Sequence, residues 1–402
     1  MAEIITGNYR LLKDLNSNVV LNLVRTNAPI SGAKLAKITG MRPSTIHNIL
    51  KTLERQRLIT RIGTGDSTKL GGRRPTLWKI RGNYGYVIGI QLEINEIEIV
   101  LVDVNSKQID EQKITTKSYK NLSEIKDKIV KVVDTILIKN RIDKSKLLGI
   151  GFGVSGLVNT ETGKIIKTSL LPSSEQPIDF EEYMEQYFGV PIYVENDANA
   201  AVLAEKWFGK AAGVENIIYI LTVVGPSGFG IGFGLILNDQ IYRGSNMYAG
   251  ETELFDLNIE KILKTICGCE EPGLTIRGQY IDIKELQLDH LINALEEGNE
   301  LAIRFFVEIG SIVGEELIKV INMLDPYMVV VGGEILDANS FILDPIRQSV
   351  NKKLSNNGNR QIEIVGSSFS RYSIALGAAT IILKKIFQDP SVDHVITMNK
   401  AV

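Results

Sequence analysis

The chain has 402 residues, 44% of them hydrophobic and 23% charged, with a formal net charge of −2. That length suits two or three domains of ordinary size, and that composition suits a soluble globule. Two cysteines exclude a disulfide framework, and apolar runs such as IIYILTVVG reach only about half of the ~20 residues a membrane helix needs. The charge is unevenly spread. Residues 1–80 hold 14 Lys and Arg against 4 Asp and Glu, a balance of +10, and the remainder holds 31 against 43, or −12. A basic module on an acidic body attracts polyanions, of which nucleic acid is the usual one; a merely solvated basic face is the alternative. MAEIITGNYR lacks the basic start and apolar run of a secretory leader, so a cytoplasmic protein with no membrane partner is expected.

Three helical segments come first. YRLLKDLNSNVVLNLVRTN carries apolar residues at helical spacing. SGAKLAKITG opens on Ser31 as N-cap and stops at Gly40. RPSTIHNILKTLERQR sets Pro43 in the first turn, where its missing N–H costs nothing. Ile46, Ile49, Leu50 and Leu53 share one face of this third helix. Ser44, Asn48, Lys51 and Arg55 point the other way, with Arg42 ahead of them and Thr45, His47 and Thr52 on the flanks. Two helices joined by a short Gly-containing turn make a helix-turn-helix, whose second helix enters the major groove. Small polar side chains there suit base edges and cations suit phosphates. LITRI and PTLWKI then flank GTGDSTKLGGRR, the pattern of a β-wing. Arg73 and Arg74 stand at its tip, where glycines allow close approach and arginines suit a narrow minor groove. An ordinary linker with two surface arginines is the competing reading.

From Tyr84 the pattern changes. YGYVIGIQLEINEIEIVLVD reads as two strands about a tight turn, SKQIDEQKITT as a third and NLSEIKDKIVKVVDTILIKN as a helix. KLLGIGFGVSG is a buried strand. Its GFGVSG matches GxGxxG, but a hairpin turn at Asn159–Gly163 follows instead of a helix, so no nicotinamide site is expected. PIYV is a strand and NDANAAVLAEKWF a helix stopped by Gly209. Glu195, Asn196 and Asp197 lie where strand meets helix. They suit helix capping, and they equally suit a ligand site beyond a strand's carboxyl end. NIIYILTVVG, GIGFGLILNDQIYRG, the long helix AIRFFVEIGSIVGEELIKVINML, the strand YMVVVGGEIL and the closing helix YSIALGAATIILKKIF follow. Strand triplet then helices, twice, suggests a duplicated α/β domain with a cleft.

The arrangement resembles the ROK family of repressors and sugar kinases through VENDANAAVLAE, GIGFGLILNDQIYRG followed by AGE, and the GGRRP wing. The resemblance implies an N-terminal winged helix-turn-helix over residues 1–82 and a duplicated actin-like (ribonuclease H-like) two-lobed sugar-kinase fold. The first lobe would span 83–198 with the closing helix 373–388 packed back on it, the second 199–372, and 389–402 would be a tail. It further implies that Asn196, Asp197 and Glu251 bind a sugar. The family's AGExxH then breaks, since Leu254 stands at the His position. Of CxCGxxGCxE only Cys267, Cys269 and Gly273 remain, with Leu274 and Ile276 at the last Cys and Glu. Two thiolates do not close a zinc site, so no metal and no cofactor are expected; Glu270 or Glu271 could substitute only with new geometry. The family's phosphate hairpin DxGGT is replaced by Gln91, Leu92, Glu93, Ile94 and Asn95, without glycine. Gly228, Gly230, Gly232 and Gly234 match a second phosphate loop and Gly332–Gly333 a nucleotide-side strand end; without the first hairpin, close α/β packing is the preferred reading of them. The expected protein is a non-enzymatic, sugar-responsive repressor, a homodimer or dimer of dimers on an inverted-repeat operator. A sugar kinase with an added DNA-binding head is the alternative. Family repressors answer to xylose, glucose or amino sugars, and the lost His and Glu leave the sugar open.

Overall fold

The computed structural model describes residues 9–65, 74–116, 119–171, 176–225, 228–252, 258–268, 273–276, 278–282, 285–354, 360–369 and 372–388. They fall into two compact units. One holds the described residues of 1–152, 169–194 and 378–402, the other those of 153–168 and 195–377.

The first unit begins with helices α1 (Tyr9–Asn27), α2 (Gly32–Thr39) and α3 (Pro43–Arg55). Ser31 caps α2 by accepting from Lys34 N at 3.2 Å, and Gly40 ends it in the left-handed region. Val20, Leu21, Val24, Leu35, Ile46, Ile49, Leu50 and Leu53 form the head's core. Strands β1 (Ile30–Ser31), β2 (Ile59–Thr64) and β3 (Thr76–Ile80) make the wing sheet, in the order β1-β3-β2. The wing has one strand more than the two expected; two residues are too few to leave a periodic signal.

The body opens with β4 (Tyr86–Leu92), β5 (Glu96–Asp103) and β6 (Gln108–Thr115), an antiparallel meander. Then come α4 (Leu122–Lys139), β7 (Leu147–Val154), the hairpin β8 (Gly156–Asn159) and β9 (Lys164–Thr168), α5 (Phe180–Phe188) and β10 (Ile192–Asn196). The sheet order is β10-β7-β4-β5-β6. A hairpin follows β7, and Asn159 Oδ1 holds its turn by accepting from Glu161 and Thr162 N–H.

In the second unit, α6 (Asp197–Phe208) precedes β11 (Ile217–Gly225), β12 (Gly228–Leu237) and β13 (Gln240–Ile241). Helix α7 (Ile259–Cys267), the hairpin β14 (Gly273–Ile276) and β15 (Gln279–Asp282), α8 (Leu288–Glu296) and α9 (Glu300–Leu324) follow. The unit continues with β16 (Met328–Gly333), α10 (Ser340–Leu354), β17 (Glu363–Gly366) and the start of α11 (Ser373–Gln388). The second sheet runs β17-β16-β11-β12-β13, the same connectivity as the first. Phe229, Phe233 and Leu235 of β12 pack on Phe305, Phe306 and Ile309 of α9 on one face. Tyr219, Leu221 and Val330 meet Ala198, Ala201 and Val202 of α6 on the other.

Contacts divide the body at 152/153, 168/169, 194/195 and, within α11, at 377/378. All of α6 and the first residues of α11 go with the second sheet. The reason is close backbone packing: a Cβ at Gly377 would stand 1.7 Å from Ala200 O, and one at Gly234 2.2 Å from Ala198 O. The head and the first body sheet fall in one unit, with Arg25 of α1 stacked 5.3 Å over the Phe387 ring.

Candidate effector site and nucleic-acid interface

Strand β10 runs through Asn196, two residues beyond PIYV, so Glu195 lies within the strand. Its side chain is 2% exposed. Its Oε2 accepts from Arg243 Nε at 3.1 Å and from the Arg243 Nη2 group. Its Oε1 accepts from Asn196 N at 3.1 Å and Asn199 Nδ2 at 3.2 Å. This pair of a buried carboxylate and a partly buried guanidinium ties the segment after β13 to the head of α6. Arg243 O in turn accepts from Ala249 N at 3.1 Å, just before Gly250 and Glu251. The sequence reading singled out Glu195 but missed its partner, because nothing periodic links residues 48 apart.

Asn196 caps α6: Oδ1 accepts from Asn199 N at 3.1 Å, and Nδ2 donates to Gly156 O at 3.1 Å. An amide nitrogen carries two N–H groups, so one remains beyond the bond to Gly156. Asp197 is buried, and its Oδ1 accepts from Ala198 N at 2.8 Å. Burial pushes its carboxyl up to about 6 and the nearby Glu251 charge adds to the rise, while the bonds from Ala198 N–H and the Ser155 hydroxyl oppose it. Glu251 is exposed. Its loop is set by Gly250, whose φ is +95° and whose place leaves no room for a side chain: a Cβ would lie 2.0 Å from Phe233 O. The structure thus brings Asn196, Asp197, Ser155 and Glu251 together at the N-terminus of α6. These groups accept from and donate to hydroxyls, the chemistry a polyol ligand presents.

The residues at the positions matching the family's phosphate loops bond and pack within the protein. In the β4–β5 turn, Gln91 Nε2 donates to Glu93 Oε1 at 2.6 Å, and Glu93 N to Glu96 O at 3.0 Å. Gly228, Gly230, Gly232 and Gly234 lie in β12, paired in unbroken register with β11 from Gly225↔Gly228 to Ile217↔Ile236. A Cβ at Gly332 would lie 1.9 Å from the Tyr219 hydroxyl, and one at Gly333 2.0 Å from Thr222 O, so close packing accounts for both. Cys267 ends α7; Leu254, Cys269, Glu270 and Glu271 lie outside the described residues. Among the described residues no group of three His, Cys, Asp or Glu is placed to hold a metal ion. No described helix is long and apolar enough to cross a membrane.

In the head, Ile46, Ile49, Leu50 and Leu53 bury one face of α3. Arg42, Ser44, His47, Asn48, Lys51 and Arg55 are exposed on the opposite side, with Thr45 half-buried at the edge. Gly65 N donates to Pro75 O at 2.8 Å, closing the wing, and Arg74 is exposed beside Pro75. Arg73 lies outside the described residues.

Residues 87–385 match the family model described as "ROK family". The xylose repressor of Caldicellulosiruptor bescii is 26% identical over 415 residues, covering 96% of this chain and 99% of that one. The xylose repressor of Staphylococcus xylosus is 30% identical over 322 residues, covering 77% and 76%. Among solved structures, a ROK family transcriptional regulator, homologous to the E. coli MLC protein, superposes with a TM-score of 0.75 at 19% identity over 97% of this chain and 99% of that one. A ROK family glucokinase from Streptomyces griseus, in complex with glucose and AMPPNP, gives 0.59 at 22% identity over 74% of this chain and 99% of its own. The kinase thus matches about the length of the body alone, whereas the regulator matches head and body together. With its actin-like body and winged head, this chain belongs to the ROK family.

Proposed function

We propose that this chain is a repressor of carbohydrate-utilisation genes whose affinity for DNA is set by a small sugar. The observation that carries the reading is the exposed polar and basic face of α3 on a head of net charge +10. Relatives named as xylose repressors match it over nearly its whole length, head included. Xylose is therefore the first effector to test. Asn196, Asp197 and Glu251 would hold the sugar's hydroxyls. Arg42, Ser44, Thr45, His47, Asn48, Lys51, Arg55, Arg73 and Arg74 would meet an inverted-repeat operator, read by a homodimer or a dimer of dimers in the cytoplasm. No zinc is assigned, because only Cys267 and Cys269 remain of the family's ligand set. The sugar acts by linkage: it shifts the population only if it binds the DNA-competent and incompetent arrangements differently.

The body is assigned no catalysis. Glu93 stands where a phosphate-binding glycine would serve, and its charge would repel a nucleotide's phosphates. The kinase reading retains one favourable feature, an Asp197 carboxyl raised toward neutrality, as suits a general base. A coupled assay with ATP and a pentose and hexose panel separates the two. No turnover is expected; turnover abolished by Asp197→Asn would establish the kinase. A mobility shift on the protein's own promoter, with the same panel, tests the repressor.

A further inference from the structure

Arg61 is an exposed basic residue of the wing whose guanidinium is nonetheless held by the protein. It sits in β2, directly paired with Trp78 of β3, and its guanidinium lies 5.2 Å over the centre of that buried ring. Its Nε approaches Glu54 Oε1 at 2.8 Å and its Nη2 donates to Glu54 Oε2 at 2.9 Å. Glu54 belongs to the last turn of α3, next to Arg55. The link from helix to strand is short: Arg57 N donates to Glu54 O, and Leu58 N to Leu53 O, both at 3.0 Å. Immediately after Arg61 the register shifts by a bulge, with Gly63 at φ +142°. A bulge re-aims the strand that contains it, so the residue before it sets where the wing points.

Resting on the DNA-binding reading above, we propose that Arg61 and Glu54, with Trp78 beneath them, lock the wing to the recognition helix. Arg61 is a positioning residue for operator recognition and makes no phosphate contact. The bidentate fork fixes the guanidinium's direction and the ring fixes its plane. Glu54's charge lies near the face offered to a polyanion, and its role there is to hold the lock.

The two roles differ in sign. If Glu54 were only a nearby negative charge, Glu54→Gln would strengthen DNA binding. If it anchors the lock, Glu54→Gln weakens it. The test is fluorescence anisotropy of the full chain on a labelled duplex from its own promoter, from low to physiological salt. Wild type is compared with Glu54→Gln, Arg61→Ala, Arg61→Lys and the Glu54→Gln/Arg61→Ala double variant. Each single variant is expected to weaken binding roughly three- to ten-fold, the range of an exposed ion pair with a stacked cation. The double variant should be no weaker than the singles, and the slope of log affinity against log salt should not change. Lys at position 61 should not rescue, since it has neither the fork nor the flat face. Tighter binding by Glu54→Gln would overturn the proposal. So would a slope reduced by about one in Arg61→Ala and restored by Lys, the signature of a phosphate contact. Wild-type protein that retards no duplex would overturn the DNA-binding reading itself, which is a separate result.

Discussion

At Asp197, burial opposes ionisation and the neighbouring Glu251 charge adds to the opposition. The unfolded carboxyl titrates near 3.8 and the folded one at about 6. Between those values the native chain holds the extra proton, so stability falls as pH rises through that window and stays lower above it. A rise of this size corresponds to at most about 3 kcal/mol. Asp197→Asn is therefore expected to raise the melting temperature at pH 7.5, with the gain vanishing below about pH 4, while the sugar response is lost. Thermal denaturation across pH checks the first part and anisotropy with sugar the second. Glu195 is paired with a cation, Arg243. Arg243→Ala leaves its carboxylate buried without a cation, at a cost of about 3–5 kcal/mol, whereas Glu195→Gln with Arg243→Met should cost less. Urea melts decide. Asn196 and Asp197 were legible in the sequence because capping residues at a strand–helix junction are local. The Arg243 partner was not, since an ion pair across loops depends on tertiary placement alone.

The helices of the head were legible as elements, because apolar spacing, the Ser31 cap and the Gly40 stop agree. Ser31→Ala should cost about 1 kcal/mol in a thermal or urea melt. Strand β1 and the short α5, α7 and α8 left weaker signals, and Pro345 inside α10 interrupts the pattern that would announce it. The glycines of β12 can be read as a phosphate loop, yet they pair in register, and Gly234 is there because α6 approaches too closely for a Cβ. Gly209 ends α6 for a similar reason: its φ is −110°, and a Cβ would stand 2.0 Å from Glu205 Oε2. Glu205 itself, fully buried, accepts from Ser367 Oγ at 2.7 Å, Ser368 Oγ at 2.8 Å and Lys210 N at 3.1 Å. No local pattern announced it. The loop that carries Glu251 depends on Gly250. A side chain there would collide with Phe233 O, so Gly250→Ala is expected to abolish the sugar response while operator affinity without sugar stays within about two-fold. Anisotropy with and without xylose checks this.

For the molecule as a whole, the duplicated order of strand triplet and helices could be read from the sequence because it repeats, and both sheets share one connectivity. The charge split carried the functional reading further than any single motif. It assigns the polyanion to residues 1–80 and leaves the acidic body to a neutral ligand. The cations of the head should therefore act through counterion release: Lys51→Ala or Arg74→Ala should each reduce the salt slope of operator binding by about one. The measurement that tests the central claim most directly is a mobility shift of the full chain on its own promoter duplex, titrated with xylose and with a panel of other sugars, alongside ATP consumption in the same mixtures. The expected result is a retarded duplex whose binding changes with at least one sugar, without nucleotide turnover. Failure to retard any duplex, together with sugar-dependent consumption of ATP, would contradict the account.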